Sequence, residues 1–510
     1  MCSIVGFYCL RDSDRDAARL RSCLAAGLDT MRRRGPDEHV IVHASENCSL
    51  GANRLVIRGH VRDGMFPLRD DRCTSVYNGE IYNYRRWMPR SEHDGSCILP
   101  AYLSLGMEAF SQFDGEFAIA LHDARDNSAT LARDPFGCRP LYFSLSGDIL
   151  LWSSHEDAIN ALQRHVHCAP VRSSTYRHSL TVQEPFTSYR GIWTLPPGHF
   201  IRATRRGIEC GPYVKWQDPQ RTHGDPSDAF VALQSSLVER LEYGGVVAIP
   251  LSGGIDSGII AFTADALGIP YHIFSVTHMF GSATEETDLI RRRCDRLNNA
   301  KAITTLNCGT EALERALEDV FDIGYYATER FDTSTIPTHT LYEAINQAGI
   351  RVSIDGTGGD ELFHGYKFRD DFAPLDGWPR TWDNCNYYYS MWSSLLDYTA
   401  KAERAGGYFS IEARFPYQCR RLMLAAAELE VRATLKWPLR QFLLERTKYG
   451  SGSPIDLKEK FGFSLKNGSK QEVVARLRRQ WHQVRKPPRR LPAPMPFPFE
   501  IGNTIKAEVQ

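Results

Sequence analysis

Residues 246–257 read Val-Val-Ala-Ile-Pro-Leu-Ser-Gly-Gly-Ile-Asp-Ser, and this stretch limits the fold most strongly. A β-rich run at 246–251 meets a Gly turn, and a helical stretch comes next at 258–267. A strand that turns directly into a helix is half of a βαβ unit. The alternation continues, with strands expected at 271–276, 302–306 and 351–355 and helices at 285–297 and 339–347. The pattern predicts an α/β, doubly wound parallel sheet. The remainder of the chain, beyond residue 355, reads as mainly helical.

The first 218 residues have a different rhythm. Runs at 117–123 and 129–134 flank the polar turn Arg125-Asp126-Asn127, and runs at 141–144 and 149–153 flank Ser146-Gly147-Asp148. Both are hairpin signals. A helix is expected at 17–31. The polar segment 217–228 reads as a linker. A chain of 510 residues exceeds what one core usually organises, so several domains are expected: 2–216, 229–480, and a basic, Pro-rich tail at 481–510. Within that tail, 485–499 reads as an extended surface segment, with a docking arm as the alternative.

Lys+Arg and Asp+Glu both total 61, so whole-chain charge gives no reason to expect nucleic acid or a membrane surface as partner. The 13 cysteines show no C-x-x-C pair and no zinc-site spacing with His, which favours a reducing compartment over a disulfide scaffold. No signal-peptide layout opens the chain and no apolar run approaches the roughly 20 residues that span a bilayer. The expected location is cytoplasmic.

Cys2 follows Met1. With the methionine removed, Cys2 carries both a thiol and an α-amine, and an amine of reference pKa about 8 can take the thiol proton without a histidine. Further on come Arg32-Arg33-Arg34-Gly35-Pro36-Asp37, Asn53-Arg54-Leu55, Tyr77-Asn78-Gly79-Glu80-Ile81-Tyr82-Asn83, Asp114-Gly115-Glu116-Phe117 and Arg133-Asp134-Pro135-Phe136-Gly137. In order and spacing these resemble the class II glutamine amidotransferases over about residues 2–200. The resemblance implies an α+β four-layer sandwich of the N-terminal-nucleophile (Ntn) hydrolase type. It implies that Cys2 attacks the glutamine amide while the Asn78 side chain and the Gly79 N–H form the oxyanion hole. Arg54 would bind the glutamine carboxylate, and Glu80 and Asp94 its α-ammonium. The chain departs from the family at Ser3, usually Gly, and around Asp94, where His-Asp-Gly-Ser replaces Ser-Asp-Thr-Glu.

The turn Leu251-Ser252-Gly253-Gly254-Ile255-Asp256-Ser257 suits anion capture. Glycines let backbone N–H groups approach a phosphate, and a helix N-terminus favours negative charge. It matches the S-G-G-x-D-S loop of ATP pyrophosphatases and lacks the Gly-Lys-Ser/Thr of a Walker loop. A second signature, Asp355-Gly356-Thr357-Gly358-Gly359-Asp360-Glu361-Leu362-Phe363, resembles the asparagine synthetases, and Lys436-Trp437-Pro438-Leu439-Arg440 extends the likeness to about residue 466. The resemblance implies ATP binding by Ser252, Gly253, Gly254 and Ser257, adenosine contacts at Leu251, Val276 and Gly356 with Asp355 beside them, and Mg²⁺ on Asp256 and Asp360. Lys460 would neutralise the pyrophosphate and the transition state.

The implied reaction hydrolyses glutamine at Cys2 through a thioester, adenylates a carboxylate with ATP, and sends ammonia between the domains in a protected channel. Aspartate is the family's default acceptor, which makes asparagine the product. Thr357 stands where asparagine synthetases carry a Glu that helps deprotonate ammonia, Asp355 replaces a Ser, and Cys419 replaces an Asp. Another carboxylate, in a sugar acid, peptide or secondary metabolite, is the alternative acceptor. A protein that keeps the fold without turnover is a third reading, and it would show no ATP–pyrophosphate exchange. Family members often form homodimers.

Overall fold

The computed structural model describes residues 1–11, 14–57, 66–165, 171–172, 187, 189–214, 225–279, 282–283, 287–309, 312, 315–316, 335–363, 396–429, 436, 438–440, 442, 498 and 505–508. The chain divides into two compact units: residues 1–216 with 375–379 and 488–510, and residues 217–374 with 380–487.

The elements of the first unit, in chain order, are β1 (Ser3–Cys9), α1 (Asp14–Asp29), β2 (Glu38–Ser45), β3 (Cys48–Arg54), β4 (Leu68–Arg69), β5 (Cys73–Ile81), α2 (Ile98–Leu105), α3 (Ala109–Gln112), β6 (Gly115–Asp123), β7 (Ser128–Arg133), β8 (Tyr142–Ser146), β9 (Ile149–Ser153), α4 (Glu156–Gln163), β10 (Val171–Arg172), β11 (Tyr189–Arg190), β12 (Trp193–Thr194), β13 (His199–Thr204) and β14 (Gly207–Pro212). They build two large antiparallel sheets, one in the order β12-β8-β9-β1-β3-β2 and one in which β14-β13-β7-β6-β5-β4 are successive neighbours, and β10 and β11 form a small third. Both expected hairpins form, as β6–β7 and β8–β9.

β1 shows why the sheets stack. Successive strand side chains point to opposite faces. Ile4 and Tyr8 enter a core shared with Val76, Ala118 and Ile119 of the second sheet. Val5, Phe7 and Cys9 enter another, against Leu20, Leu24 and Leu28 of α1 and Ile159 and Leu162 of α4. β1 is therefore buried on both faces, and each large side chain removed from water contributes roughly 1.5–3 kcal/mol. Gly6 on this strand leaves room for Trp152, since a Cβ there would lie 2.4 Å from the indole ring.

The second unit contains α5 (Pro226–Leu241), β15 (Val247–Pro250), α6 (Ile255–Ala266), β16 (Tyr271–Met279), β17 (Ser282–Ala283), α7 (Thr287–Cys294), β18 (Ala300–Cys308), α8 (Thr335–Gln347), β19 (Val352–Ile354), α9 (Gly359–Leu362), α10 (Leu396–Tyr408), β20 (Glu412–Arg414) and α11 (Arg420–Ala427). β15 pairs in parallel with β16 and β19, β16 with β18, and β19 with β20. The parallel order is thus β18-β16-β15-β19-β20. The chain leaves β15 toward one side and returns to β19 on the other, so the order reverses between β15 and β19.

Two sequence expectations need correction. The end of the expected linker is the start of α5, because the Asp225 carboxylate accepts from the Ser227 N–H at 2.8 Å and caps the helix. In the mainly helical remainder a fifth parallel strand, β20, was missed. Its Glu412 and Arg414 are both buried and paired to each other at 2.8 Å, so its polarity conceals a core strand. A strand at Ile505–Glu508 pairs antiparallel with β14 and makes the second sheet of the first unit seven-stranded. Of the Pro-rich stretch 485–499, all but residue 498 lies outside the described residues. No helix among the described residues is long and apolar enough to cross a membrane.

Candidate functional sites

Cys2 sits at the mouth of β1 and is 9% exposed. The register Ser3↔Asn53 sets it beside Arg54 at the end of β3. The backbone around it is pinned from three sides. Arg34 donates Nε to the Cys2 carbonyl at 3.1 Å, Asn53 donates to the Ser3 hydroxyl at 3.1 Å, and the Ile4 N–H donates to the Ser154 hydroxyl at 3.0 Å. Ser3 in place of Gly is thus absorbed by a hydrogen bond in extended backbone. Arg34, Asn53 and Ser154 carried no assigned role from sequence. The signal at Arg34 was only its place beside Gly35, and Arg32 and Arg33 next to it are exposed. Met1 is fully buried, with its sulfur 3.1 Å from Arg139 Nη1.

β5 supplies the next wall. Gly79 has φ +136°, and a Cβ there would lie 1.8 Å from the Glu116 carbonyl oxygen on β6, so no side chain fits. Asn78 is fully buried, and neither atom of its side-chain amide has a hydrogen-bond partner among the described residues. Leaving both unmet costs roughly 1–3 kcal/mol per group. Glu80 is 4% exposed, and Arg54 is 2% exposed and paired with Glu38 at 3.2 Å.

Asp94 opens a 3₁₀ turn at Asp94–Cys97. Its two oxygens accept from the Tyr77 hydroxyl at 2.8 Å and the Ile81 N–H at 2.9 Å. These bonds tie the turn to β5. Gly95 allows the approach, since a Cβ there would be 2.3 Å from the Tyr77 ring. Burial pushes the Tyr77 phenol well above its ordinary value, and the neighbouring charges of Asp94, Glu80 and Cys2 push it further, so it stays a neutral donor. Cys2, Tyr77, Glu80 and Asp94 therefore share one electrostatic neighbourhood.

The Arg133–Pro140 segment is a buried turn. Asp134 accepts from the N–H groups of Phe136, Cys138 and Arg139 at 2.9–3.0 Å, and Arg133 donates to the carbonyls of Gly137, Arg139 and Leu195, each at 2.8 Å. These groups shape the loop itself.

In the second unit the loops after β15 and β19 lie side by side at the strand C-terminal ends, where the sheet order reverses. That crevice is where open parallel sheets bind ligands. Ser252, Gly253 and Gly254 lead into the N-terminus of α6. Ser252 and Ser257 share a hydroxyl contact at 3.0 Å, and Gly254 N–H donates to the Ser252 hydroxyl at 3.0 Å. Arg293 on α7, 2% exposed, donates to the carbonyls of both Ser252 (2.9 Å) and Gly254. Holding those carbonyls inward is a role that sequence reasoning missed, because Arg293 lies outside every motif. Leu251, just past the end of β15, and Val276 on the neighbouring β16 are both buried.

Glycines bring the two loops together. A Cβ on Gly356 would be 3.2 Å from the Ser257 nitrogen, and one on Gly359 would be 2.3 Å from the Asp256 carboxylate. Lys436 joins both loops: its Nζ contacts the carboxylates of Asp256 and of Asp360, the latter at 2.9 Å. Burial alone would lower the Lys436 ammonium, but the two carboxylates outweigh it and hold it above its ordinary value. Thr357 donates its N–H and hydroxyl to Asp355 Oδ1 at 2.9 and 2.5 Å, and burial raises the Asp355 carboxyl above the usual range. Lys460 lies outside the described residues.

The donor set fits a magnesium ion delivered with a nucleotide. Asp256 and Asp360 offer hard oxygen atoms to a shared cation, the place now taken by the Lys436 ammonium, and magnesium is typically held by one or two carboxylates plus phosphates. Among the described residues no cluster of three His, Cys, Asp or Glu side chains could hold a metal alone.

Comparison with known proteins gives a family match in each part of the chain. Residues 1–214 match the model of a glutamine amidotransferase domain, and residues 231–384 match asparagine synthase. A Mycobacterium tuberculosis protein provisionally named asparagine synthetase (glutamine-hydrolysing) is 27% identical over 74% of this chain and 63% of its own. The amidase chry2 of Gibberella zeae is 28% identical over 74% of this chain and 62% of its own. The asparagine synthetase (glutamine-hydrolysing) of Triphysaria versicolor is 26% identical over 86% of this chain and 74% of its own. The chain thus spans less than two thirds of the length of the first two. It carries a glutamine amidotransferase domain at residues 1–214 followed by an asparagine synthase domain at residues 231–384.

Proposed function

We propose that this chain is a glutamine-dependent, ATP-consuming amide-forming ligase of the asparagine synthetase type. The observation that carries the reading is Asn78, an amide buried without a partner among the described residues and preceding a glycine that tolerates no Cβ. Its Nδ2 and the Gly79 N–H are the donors for the oxyanion formed when the Cys2 thiolate attacks the glutamine amide. Once Met1 is removed, the Cys2 α-amine takes the thiol proton and returns it to the leaving ammonia. The acyl thioester is then hydrolysed to glutamate. Arg54, Glu80 and Asp94 recognise the amino-acid end of glutamine, and the unit takes the four-layer Ntn arrangement.

In the second unit the α6 N-terminus and the Ser252–Gly254 loop take the phosphates of ATP. Leu251, Val276, Asp355 and Gly356 lie against the nucleoside. Asp256 and Asp360 hold Mg²⁺, whose charge offsets that of the pyrophosphate, and Lys460 neutralises charge in the transition state. A carboxylate attacks the α-phosphorus, pyrophosphate leaves, and ammonia displaces AMP from the acyl-adenylate to give an amide. Aspartate is the first acceptor to consider. The Thr357–Asp355 hydrogen bond favours a second reading, in which another carboxylate is amidated, because position 357 offers no ionisable base.

Incubation with glutamine, Mg·ATP and aspartate tests this. Stoichiometric asparagine, AMP and pyrophosphate are expected. Glutamate release without asparagine would move the acceptor to another acid. No ATP–pyrophosphate exchange with any acid would sink the ligase reading itself.

A further inference from the structure

The ATP-site reading leaves Lys436 without a role, and its placement is costly. It adopts φ +55°, a left-handed conformation that non-glycine residues rarely hold unless their surroundings impose it. Its N–H donates to the Phe363 carbonyl at 3.1 Å, at the end of α9, and its ammonium contacts Asp256 at the start of α6 and Asp360 in α9. One cation from a third part of the chain therefore ties together the two loops that meet at the sheet's reversal point.

Charge decides what this cation does. The N-terminus of α6 attracts a phosphate, whereas Asp256 and Asp360 repel it. Lys436 cancels one of their two charges and leaves the trio of side chains net negative. A nucleotide carrying a divalent cation brings the missing positive charge. That cation needs the carboxylate oxygens the ammonium now contacts, and the triphosphate is then the nearest anion for the ammonium. We propose that Lys436 is a resident cation of the Asp256–Asp360 pair that gives way to the divalent ion and turns to the phosphates, so that metal binding depends on nucleotide. This rests on the ATP-site reading.

The test uses Mn²⁺ as probe. Its binding to the full chain is measured by electron paramagnetic resonance with and without α,β-methylene-ATP, and nucleotide binding by calorimetry. The wild type should bind Mn²⁺ weakly alone and tightly with nucleotide. K436M should bind Mn²⁺ without nucleotide about tenfold or more tightly than wild type, and should bind the nucleotide more weakly. K436R, which keeps the charge, should stay nucleotide-dependent. Equal Mn²⁺ affinity in wild type with and without nucleotide overturns the proposal without any variant. So does a K436M protein with wild-type melting behaviour and no gain in Mn²⁺ affinity. If the wild type binds no nucleotide, the ATP-site reading fails as well; if it does and K436M gains nothing, only the role of Lys436 fails.

Discussion

Single atoms carry the glutaminase argument. Asn78 keeps a fully buried amide with no partner among the described residues, beside a Gly79 whose Cβ would strike the Glu116 carbonyl. Replacing one oxyanion donor typically costs about 10²–10³ in kcat. Asn78→Ala should therefore lower glutaminase kcat by roughly that factor with KM changed far less, measured by glutamate release. Cys2→Ala should abolish glutamine use and keep activity with free ammonia; equal loss of both would show that the two-site scheme is wrong. Five other buried thiols are poor competitors for an electrophilic glutamine analogue. Burial raises Cys9 and Cys308 to about 11, and pushes Cys48, Cys97 and Cys210 higher still. A chloroketone shaped like glutamine should label Cys2 in preference to these five near neutral pH, read by peptide mass spectrometry.

At the scale of elements, α7 helps to hold the Ser252–Gly254 loop. Arg293 holds two of its carbonyls, while the Ser252 and Gly254 N–H groups donate to the Ser257 and Ser252 hydroxyls. Arg293→Met should weaken nucleotide binding about tenfold or more, measured by calorimetry, with the glutaminase rate unchanged. Unchanged nucleotide affinity would show that the loop holds its shape unaided. The sequence made the strand–Gly–helix unit around residues 246–257 legible because apolar period, glycines and helix start coincide there. It concealed Arg293, which acts from a helix lying some 40 positions downstream and has no local signature. It concealed β20 because a buried Glu412–Arg414 pair looks like surface polarity. Asp94 was legible as a position, but not as the acceptor that ties Tyr77 and Ile81 together, since that needs the fold of β5.

At the scale of the molecule, the alternation of hairpins and then βα units was enough to foresee two kinds of architecture in one chain. The reversal between β15 and β19 was not, because strand order is set by long-range pairing that no local pattern encodes. The strand at 505–508 is of the same kind: it pairs with β14, nearly 300 residues earlier. Its ladder bonds each contribute about 1 kcal/mol, so a chain ending at residue 504 should lose glutaminase activity at a temperature several degrees lower, while its melting still reports a folded second unit. An unchanged inactivation temperature would show that the strand is dispensable. The pairing also has a bearing on synthesis at the ribosome. β14 waits for a partner made nearly 300 residues after it, so until then it offers a bare edge to any neighbouring nascent chain.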